Sequence, residues 1–196
     1  MSRECEVEMR AVNICKSFGE NKVLDGFTHE FAEGKTTAIL GASGCGKSTL
    51  LNILMGLLPP DSGDIIRESD RISAVFQENR LCENLTASAN IRLVTGKRLT
   101  KAEISAELSA VGLGEYAEKA VKTFSGGMKR RTALVRALLA EYDILFLDEP
   151  FKGLDSETKS AVIAYTKAKI TGKTVVLVTH DLSECEMLAD ETIRFA

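Results

Sequence analysis

Residues 36–54 read TTAILGASGCGKSTLLNIL, and this stretch decides the fold. Its first five residues are apolar or β-branched and predict a buried strand, whereas the residues from Ser48 onward predict a helix. Between the two elements, Gly41, Gly46, Lys47 and Ser48 fit the spacing GxxxxGK[ST], in the strand-before and helix-after context that this phosphate-binding loop requires. We therefore predict an α/β fold built around a nucleotide-binding loop.

The residue types in this loop suit phosphate oxygens. Glycines let successive backbone N–H groups point inward, and the following helix adds the positive end of its dipole. Lys47 supplies a cation for the β- and γ-phosphates, and the Ser48 hydroxyl supplies a ligand for Mg²⁺. The alternative is a glycine-rich turn that binds nothing, but such a turn needs neither Lys nor Ser at these positions. The residues expected to contact the nucleotide here are Gly41, Ala42, Ser43, Gly44, Cys45, Gly46, Lys47, Ser48 and Thr49.

Length and composition indicate one globular domain. The chain has 196 residues, a net charge of −3 and 44% hydrophobic residues, so no basic excess points to nucleic acid as a partner. No apolar run approaches the roughly 20 residues that cross a bilayer, and residues 1–6 lack a signal-peptide core. We expect a cytosolic protein.

The cysteines indicate reduced thiols. Their number is odd, and they are scattered without a CxxC pair, which argues against disulfides or a metal site. Cys45, inside the phosphate loop, is either a reactive thiol favoured by the helix N-terminus or a small filler residue. The five cysteines are Cys5, Cys15, Cys45, Cys82 and Cys185.

A β-hairpin is predicted before the loop, with strands at residues 6–15 and 23–31 joined by a turn at 16–22. Phe18 falls in that turn, where an exposed ring either stacks on a base or serves as an ordinary hydrophobic contact. Because Phe27, His29 and Phe31 share one strand face, His29 is interpreted as a buried histidine rather than a catalytic one.

A helix at residues 48–57 and a strand at 70–76 are predicted next, and the strand ends on Gln77. The carboxyl end of a strand in an α/β sheet is where ligands bind, although Gln77 alone is weak support. Residues 78–124 are predicted to be mainly helical. Thr86 begins one helix, Thr100 and Glu103 form a capping box for another, and Gly112 suits its end. We interpret this stretch as a helical lobe inserted into the core.

A long helix is predicted after residues 125–127, which read Ser-Gly-Gly. Ser125 suits its N-cap, and a helix N-terminus with two glycines either holds an anion or is simply capped. The charges on this helix, Lys129, Arg130, Arg131 and Arg136, are interpreted as solvated or ion-paired.

Two further buried strands end in chemically active groups. Residues 144–147 are apolar and lead into Asp148 and Glu149, where one carboxylate suits Mg²⁺ and the other suits proton transfer from water. An acidic turn is the alternative. After a helix at 156–170, residues 174–179 form a strand that ends on His180, for which we predict a catalytic role.

In chain order these motifs resemble the ATPase subunit of an ABC (ATP-binding cassette) transporter, over essentially the whole chain. The phosphate loop alone indicates only a P-loop NTPase, whereas the Ser-Gly-Gly signature upstream of the Asp-Glu pair makes the resemblance specific. The matching positions are the adenine-stacking Phe18, Walker A at 41–48, the Q-loop Gln77, the signature at 124–128, Walker B with Asp148 and Glu149, the D-loop at 153–155 and the switch His180.

The resemblance implies a fold and a set of roles. It implies one ABC ATPase domain over 1–196: a P-loop NTPase core with a mainly parallel sheet (1–77 and about 129–196), an N-terminal antiparallel β part, and a helical subdomain at about 78–128. Its cofactors would be ATP and Mg²⁺. The implied catalytic residues are Glu149, His180, Gln77 and Lys47; the implied metal ligands are Ser48, Gln77 and Asp148; and the implied ATP contacts outside Walker A are Phe18, Ser125, Gly126, Gly127 and Asp155.

The resemblance also implies partners and a location. Two such subunits would pair head to tail, each ATP lying between Walker A of one and the signature of the other. The pair would power a separate membrane-spanning permease from the cytoplasmic face of the cell membrane, with a solute-binding protein as a further candidate partner. The motif variants are similar to bacterial importer ATPases, and weakly to the branch that serves nitrate, sulfonates, taurine and thiamine precursors.

Some features depart from the family pattern. Phe124 and Met128 replace the commoner Leu and Gln of the signature, and residues 60–77 form a shorter segment than usual, so we expect a trimmed antiparallel sheet. Ala196 closely follows the last strand, at 192–195, so we expect no regulatory domain. Two alternative functions are open: a soluble, non-transport ABC ATPase acting in DNA repair or translation, and a nucleotide-binding regulatory module without turnover.

Overall fold

The computed structural model of the protein describes residues 7–195, so Cys5 and the predicted strand start at residue 6 lie outside the described residues. The strands are β1 (Val7–Phe18), β2 (Asn21–Ala32), β3 (Thr36–Gly41), β4 (Ser62–Arg67), β5 (Ile72–Val75), β6 (Ile144–Asp148), β7 (Thr174–Thr179) and β8 (Glu191–Phe195). The helices are α1 (Lys47–Leu54), α2 (Ala87–Thr95), α3 (Lys101–Ala110), α4 (Gly126–Leu139), α5 (Ser156–Ile170) and α6 (Leu182–Leu188), and two 3₁₀ turns lie at Gly114–Tyr116 and Val121–Thr123.

A five-stranded parallel sheet in the order β5-β6-β7-β3-β8 forms the centre of the fold. Every residue of β6 and β7 is buried, which explains why their sequences are almost uninterrupted runs of apolar and β-branched residues. Phe146 belongs to the core shared with the antiparallel sheet, whereas Leu145 and Leu147 belong to the core shared with the helices. Because the strands are parallel, the carboxyl ends of β3, β6 and β7 meet at one edge, where ligands bind in such sheets.

The antiparallel sheet has three strands, in the order β2-β1-β4. The predicted hairpin is confirmed, but its strands are longer than predicted and leave only residues 19–20 as the turn. Phe18 is therefore the last residue of β1 and pairs with Asn21, so its placement in a longer turn was wrong. Register shifts along β1 interrupt the alternation of side chains, which explains why its last residues, 16–18, were predicted as part of the turn.

Strand β4 was not predicted. Five of its six residues pair with β1, but the strand alternates only between exposed and half-buried positions and carries no strong apolar signal. Gly63 allows the close approach of the two strands: with φ 90°, a Cβ there would lie 2.4 Å from the Asn13 carbonyl oxygen. The shortened segment therefore still supplies a strand.

The helical region follows the predicted capping signals. Thr86 accepts a hydrogen bond from the Ala89 amide at 3.0 Å, and Thr100 and Glu103 form the reciprocal capping box. Helix α1 ends at Leu54, earlier than predicted, with Gly56 in the left-handed region at φ 73°. Buried residues of α2, α3 and α4 share one apolar core with the sheet. The boundaries of the subdomain at about 78–128 stay a prediction.

His29 lies far along β2 with a half-buried side chain. Its ring meets Phe31 edge-on at 4.7 Å between centroids, and Nε2 lies 3.5 Å from a carboxylate oxygen of Glu191. The side chain is thus less buried than the sequence predicted, because β2 is an edge strand of its sheet, and its Nε2 has no hydrogen-bond partner among the described residues. The absence of a catalytic role stays a prediction. Among residues 7–195, no helix has the length and apolar character needed to cross a membrane.

Candidate nucleotide site

The loop between β3 and α1 has the geometry of a phosphate cradle. Gly46 has φ 101°, and a Cβ there would lie 2.7 Å from Val23 Cγ1, so only glycine fits. Lys47 begins α1 with only 6% of its surface exposed. Its Nζ donates hydrogen bonds to the carbonyl oxygens of Gly41 (2.8 Å) and Ala42 (2.6 Å). The lysine is thereby held across the mouth of the loop.

A cavity of about 380 Å³ lies over this loop. It brings together residues from β1, the loop, the end of β5 and the end of β6. Ten predicted site residues line it: Phe18, Ser43, Gly44, Gly46, Lys47, Ser48, Thr49, Gln77, Asp148 and Glu149. The remaining loop residues do not line it: Gly41 and Ala42 accept from Lys47, and the half-buried Cys45 has Sγ 3.8 Å from Lys47 Nζ.

Val23 and Lys152 also line the cavity, and sequence reasoning missed both. Val23 reaches the cavity because the antiparallel sheet packs against the loop. The sequence around Val23 does not predict this contact. Lys152 is exposed and follows the tight turn in which its amide donates to the Glu149 carbonyl at 3.2 Å. Its position three residues after Glu149 is a signal that could have identified it.

Asp148 has the surroundings of a metal ligand. It is 6% exposed, and its Oδ1 is buried without a hydrogen-bond partner in the part of the chain that the structure describes. Burial raises the pKa of Asp148, and a hydrogen bond with Ser48 and the nearby Arg130 and Lys47 charges oppose that rise. An orphaned carboxylate oxygen beside a hydroxyl is a donor set that fits a hard cation such as Mg²⁺.

The surrounding groups agree with a magnesium ion shared with phosphates. Within residues 7–195, no cluster of three or more His, Cys, Asp or Glu side chains is placed to hold a metal. Mg²⁺ commonly uses only one or two carboxylates and completes its shell with substrate phosphates and water. Asp148, Ser48 and Gln77, which all line the cavity, are therefore the residues that could hold such an ion.

Glu149 and His180 contact each other at the carboxyl ends of adjacent strands. His180 Nδ1 lies 2.8 Å from each carboxylate oxygen of Glu149. The Glu149 backbone is in the left-handed region with φ 49°, and its amide donates to the Val178 carbonyl at 2.9 Å. The Glu149 side chain is 13% exposed, whereas that of His180 is 58% exposed. Glu149 thus lines the cavity, whereas His180 does not line it and reaches the site only through its contact with Glu149.

An ion-pair network supports the segment that carries His180. Lys159 Nζ donates to Asp181 at 2.6 Å and also contacts Glu184, which accepts from the buried Thr179 hydroxyl at 2.6 Å. The hydrogen bond from Lys159 is the largest cause of a pKa of Asp181 well below its usual range. Asp181 also caps α6 by accepting from the Ser183 amide at 2.9 Å. These contacts fix the backbone on both sides of His180.

The Ser-Gly-Gly segment and Asp155 lie apart from the cavity. Ser125 caps α4 by accepting from the Met128 amide at 3.3 Å, and Asp155 caps α5 by accepting from the Thr158 amide at 2.9 Å. Gly127 backs onto the turn before α5, because a Cβ there would lie 3.3 Å from Leu154 Cδ2. A single chain therefore brings these residues near each other but not to the phosphate loop.

Arg130 contradicts the interpretation of the α4 charges. Lys129 is ion-paired with Glu83 as predicted, but Arg130 is only 4% exposed. Arg131 and Arg136 also donate to backbone carbonyl groups, those of Val111 (2.6 Å) and Arg80 (3.0 Å). The reason is that α4 lies between the helical region and the sheet, so that its charged residues reach backbone loops on either side.

Comparisons with known proteins agree with this geometry. A family model described as ABC transporter matches residues 24–152. The aliphatic sulfonates import ATP-binding protein SsuB 1 of Rhizobium johnstonii is 38% identical, over 98% of this chain and 75% of its own length. The taurine import ATP-binding protein TauB of Pseudomonas aeruginosa is 42% identical, over 83% of this chain and 67% of its own length.

A solved structure shares the fold. A dimeric bacterial ABC transporter cassette superposes with a TM-score of 0.80 at 28% sequence identity, covering 95% of this chain and 94% of its own. The predicted α/β class, with its parallel sheet, antiparallel part and helices, is thereby confirmed. The individual roles of the site residues stay predictions.

Proposed function

The chain belongs to the ABC transporter family, as an ATP-binding subunit with ATPase activity, and on that basis we propose that it powers a bacterial importer through a separate membrane permease. The observation that carries the proposal is the meeting of Glu149, backed by His180, with the phosphate loop and Asp148 around one cavity. A nucleotide-binding module without turnover would have no need for that carboxylate and histidine pair. The soluble, non-transport alternative is not favoured, because the curated relatives are import proteins.

Each group at the cavity has a chemical task in this proposal. The loop amides and Lys47 bind the β- and γ-phosphates, and Phe18 stacks on the adenine. Ser48, Gln77 and Asp148 would hold Mg²⁺, which supplies charge neutralisation on the phosphates when bound. Glu149 accepts a proton from the attacking water, and His180 holds the Glu149 carboxylate in place. Positioning and electrostatics, rather than covalent chemistry, carry the reaction.

The proposed active unit is a head-to-tail dimer. Ser125, Gly126, Gly127 and Asp155 lie away from the cavity of their own chain, so they would contact ATP only in the site of a second subunit. The dimeric state of the similar solved cassette supports this arrangement. Ser125 and the α4 N-terminus would then bind the γ-phosphate as an anion at a helix N-terminus.

The proposed partners follow from the relatives. These are named for import of aliphatic sulfonates and taurine, so we infer a permease for small organosulfonates and a solute-binding protein that delivers them. The subunit would sit on the cytoplasmic face of the membrane against that permease. Residues 78–128 would act as the helical subdomain between the core and the permease.

The proposal that the ATPase is active as a dimer can be tested by measuring the rate of ATP hydrolysis at increasing concentrations of the chain. Because two weakly associating chains must meet, activity should rise more than linearly with the concentration of the chain. A strictly linear rise across the dissociation range would contradict the shared site. Co-expression with a candidate sulfonate or taurine permease should yield a complex that hydrolyses ATP when taurine or an alkanesulfonate is added. Failure to copurify with any permease would favour the soluble alternative.

A further inference from the structure

Arg130 is a buried cation whose guanidinium joins two backbone segments. It is 4% exposed and lies one and a half turns into α4. Its Nη1 donates to the Phe76 carbonyl and lies 3.3 Å from Asn79 Oδ1. Its Nη2 donates to the carbonyl oxygens of Asp148 and Glu149. One arm of the fork therefore binds the segment around Gln77, and the other binds the end of β6.

Burial is costly for this guanidinium. It lowers the pKa of Arg130, whereas the nearby Asp148 and Glu149 charges oppose that change. Its Nε is buried without a hydrogen-bond partner among residues 7–195. The cost is offset by backbone carbonyl oxygens of the two segments, which would lose a shared donor if Arg130 were replaced. The contribution of the guanidinium therefore lies in the two segments that it joins.

The two segments carry the chemistry of the proposed site. Gln77 and Asp148 are the candidate metal ligands that come from the sheet, and Glu149 is the candidate base. Glu149 has φ 49°, a region that side-chain-bearing residues rarely adopt and that persists only when the surroundings hold it. Arg130 binds the carbonyl of this residue while Val178 accepts from its amide. Both ends of the strained residue are thus restrained.

We propose that Arg130 is a positioning residue that locks the Gln77 segment to the Asp148 and Glu149 backbone, so that the candidate metal ligands and the candidate base keep one fixed arrangement. The proposal rests on the proposed function. Arginine is required because its planar fork serves two segments at once, whereas a lysine ammonium is a single point charge. Since α4 begins at the Ser-Gly-Gly segment and contains Arg130, the same helix connects that segment to the two segments that Arg130 joins.

Two substitutions and one matched control test the lock. Arg130→Lys keeps the charge but not the fork, and Arg130→Met keeps the approximate volume without the charge. Arg136→Lys is the control, because Arg136 lies on the same helix and reaches only the Asn79 and Arg80 carbonyls. Both Arg130 variants should lower kcat by about 10- to 100-fold with the KM for ATP changed by less than about threefold. The control should keep the kcat of the unchanged protein.

Urea unfolding and nucleotide binding separate positioning from simple stabilisation. Arg130→Met should unfold at a lower urea concentration than Arg130→Lys, because methionine leaves the buried carbonyl groups without a donor, yet the two variants should be equally impaired in kcat. Calorimetry with ATP but no Mg²⁺ should give unchanged affinity for both variants, because the phosphate loop is untouched. A loss of kcat that parallels the loss of stability across the three variants would overturn the proposal.

A double substitution tests the connection between the segments. If Arg130 acts through the Gln77 segment, the fold-decrease in kcat of the double variant Arg130→Met, Gln77→Ala should be much smaller than the product of the fold-decreases of the two single variants. A fold-decrease equal to that product would overturn the proposal. An unchanged protein that hydrolyses no ATP would instead refute the proposed function, so the two failures are distinguishable.

Discussion

His180 Nδ1 lies 2.8 Å from both carboxylate oxygens of Glu149, although the two residues are 31 positions apart in the chain. They meet because β6 and β7 are hydrogen-bonded neighbours whose carboxyl ends share one edge. A contact with both oxygens holds the Glu149 carboxylate against the His180 ring. The pair therefore restrains one carboxylate of the cavity lining.

Glu149→Gln should lower ATP hydrolysis by about 10²–10⁴-fold, because the amide keeps the shape of the carboxylate but accepts no proton. ATP binding should survive, since Lys47, Ser48 and Asp148 are unchanged. With hydrolysis blocked, ATP should keep bridging two subunits. Sedimentation should find a dimer in ATP and a monomer in ADP. A variant that binds ATP tightly yet stays monomeric well above assay concentrations would contradict the shared site.

Lys47→Ala should weaken ATP binding by roughly 10- to 100-fold, because a hydrogen bond to a charged group contributes about 1.5–3 kcal/mol. Lys47 is the one cationic side chain between residues 41 and 49. Calorimetry measures the affinity directly. Lys152→Ala is the comparison, since Lys152 lines the same cavity from an exposed turn and should matter less. Equal affinities for Lys47→Ala and the unchanged chain would disprove the assigned loop.

Phe18→Ala should weaken ATP and GTP alike, because stacking of about 1–3 kcal/mol per base tolerates any base. Phe18 is 52% exposed at the end of β1 and lines the cavity. Phe18→Tyr keeps the ring and should keep both affinities. Leu57→Ala, which removes a similarly exposed apolar side chain outside the cavity lining, should change neither. A loss confined to ATP would indicate that Phe18 is not a simple stacking platform.

Asp181→Asn should cost about 0.2–1 kcal/mol of unfolding free energy at pH 7, because the ion pair with Lys159 is lost from a side chain that is 35% exposed. The lowered pKa of Asp181 means that its contribution is fully present above the ordinary carboxyl pKa of about 3.9 and is lost as pH falls toward the folded value. The difference between the two proteins should therefore be constant from about pH 7 to 5 and shrink below about pH 4.

Urea titrations at several pH values measure this difference. Asp25→Asn is the control, because the Lys22 and Asp25 pair is far more exposed and should contribute little at any pH. A difference that grows as the pH falls would show that the Asp181 carboxylate is not stabilised by Lys159.

The amino-acid sequence by itself determined the features that depend on neighbours a few residues away. The strand, glycine-rich loop and helix of residues 36–54, the Thr100 capping box, the Ser125 cap and helix α5 were predicted from such neighbours, because caps and glycine turns are closed by groups within three or four positions. The buried strands β6 and β7 were also predicted, since strands covered on both faces are apolar throughout.

Only the tertiary structure decided the features that need a distant partner. Strand β4 exists because β1 offers it a pairing edge, and its own residues show no apolar alternation. From the sequence, Arg130 was predicted to be a solvated or ion-paired helix charge. In the fold, it is buried between the Gln77 segment and the end of β6. Charge and periodicity describe one element at a time, whereas burial of a polar group depends on which loops supply its hydrogen-bond partners.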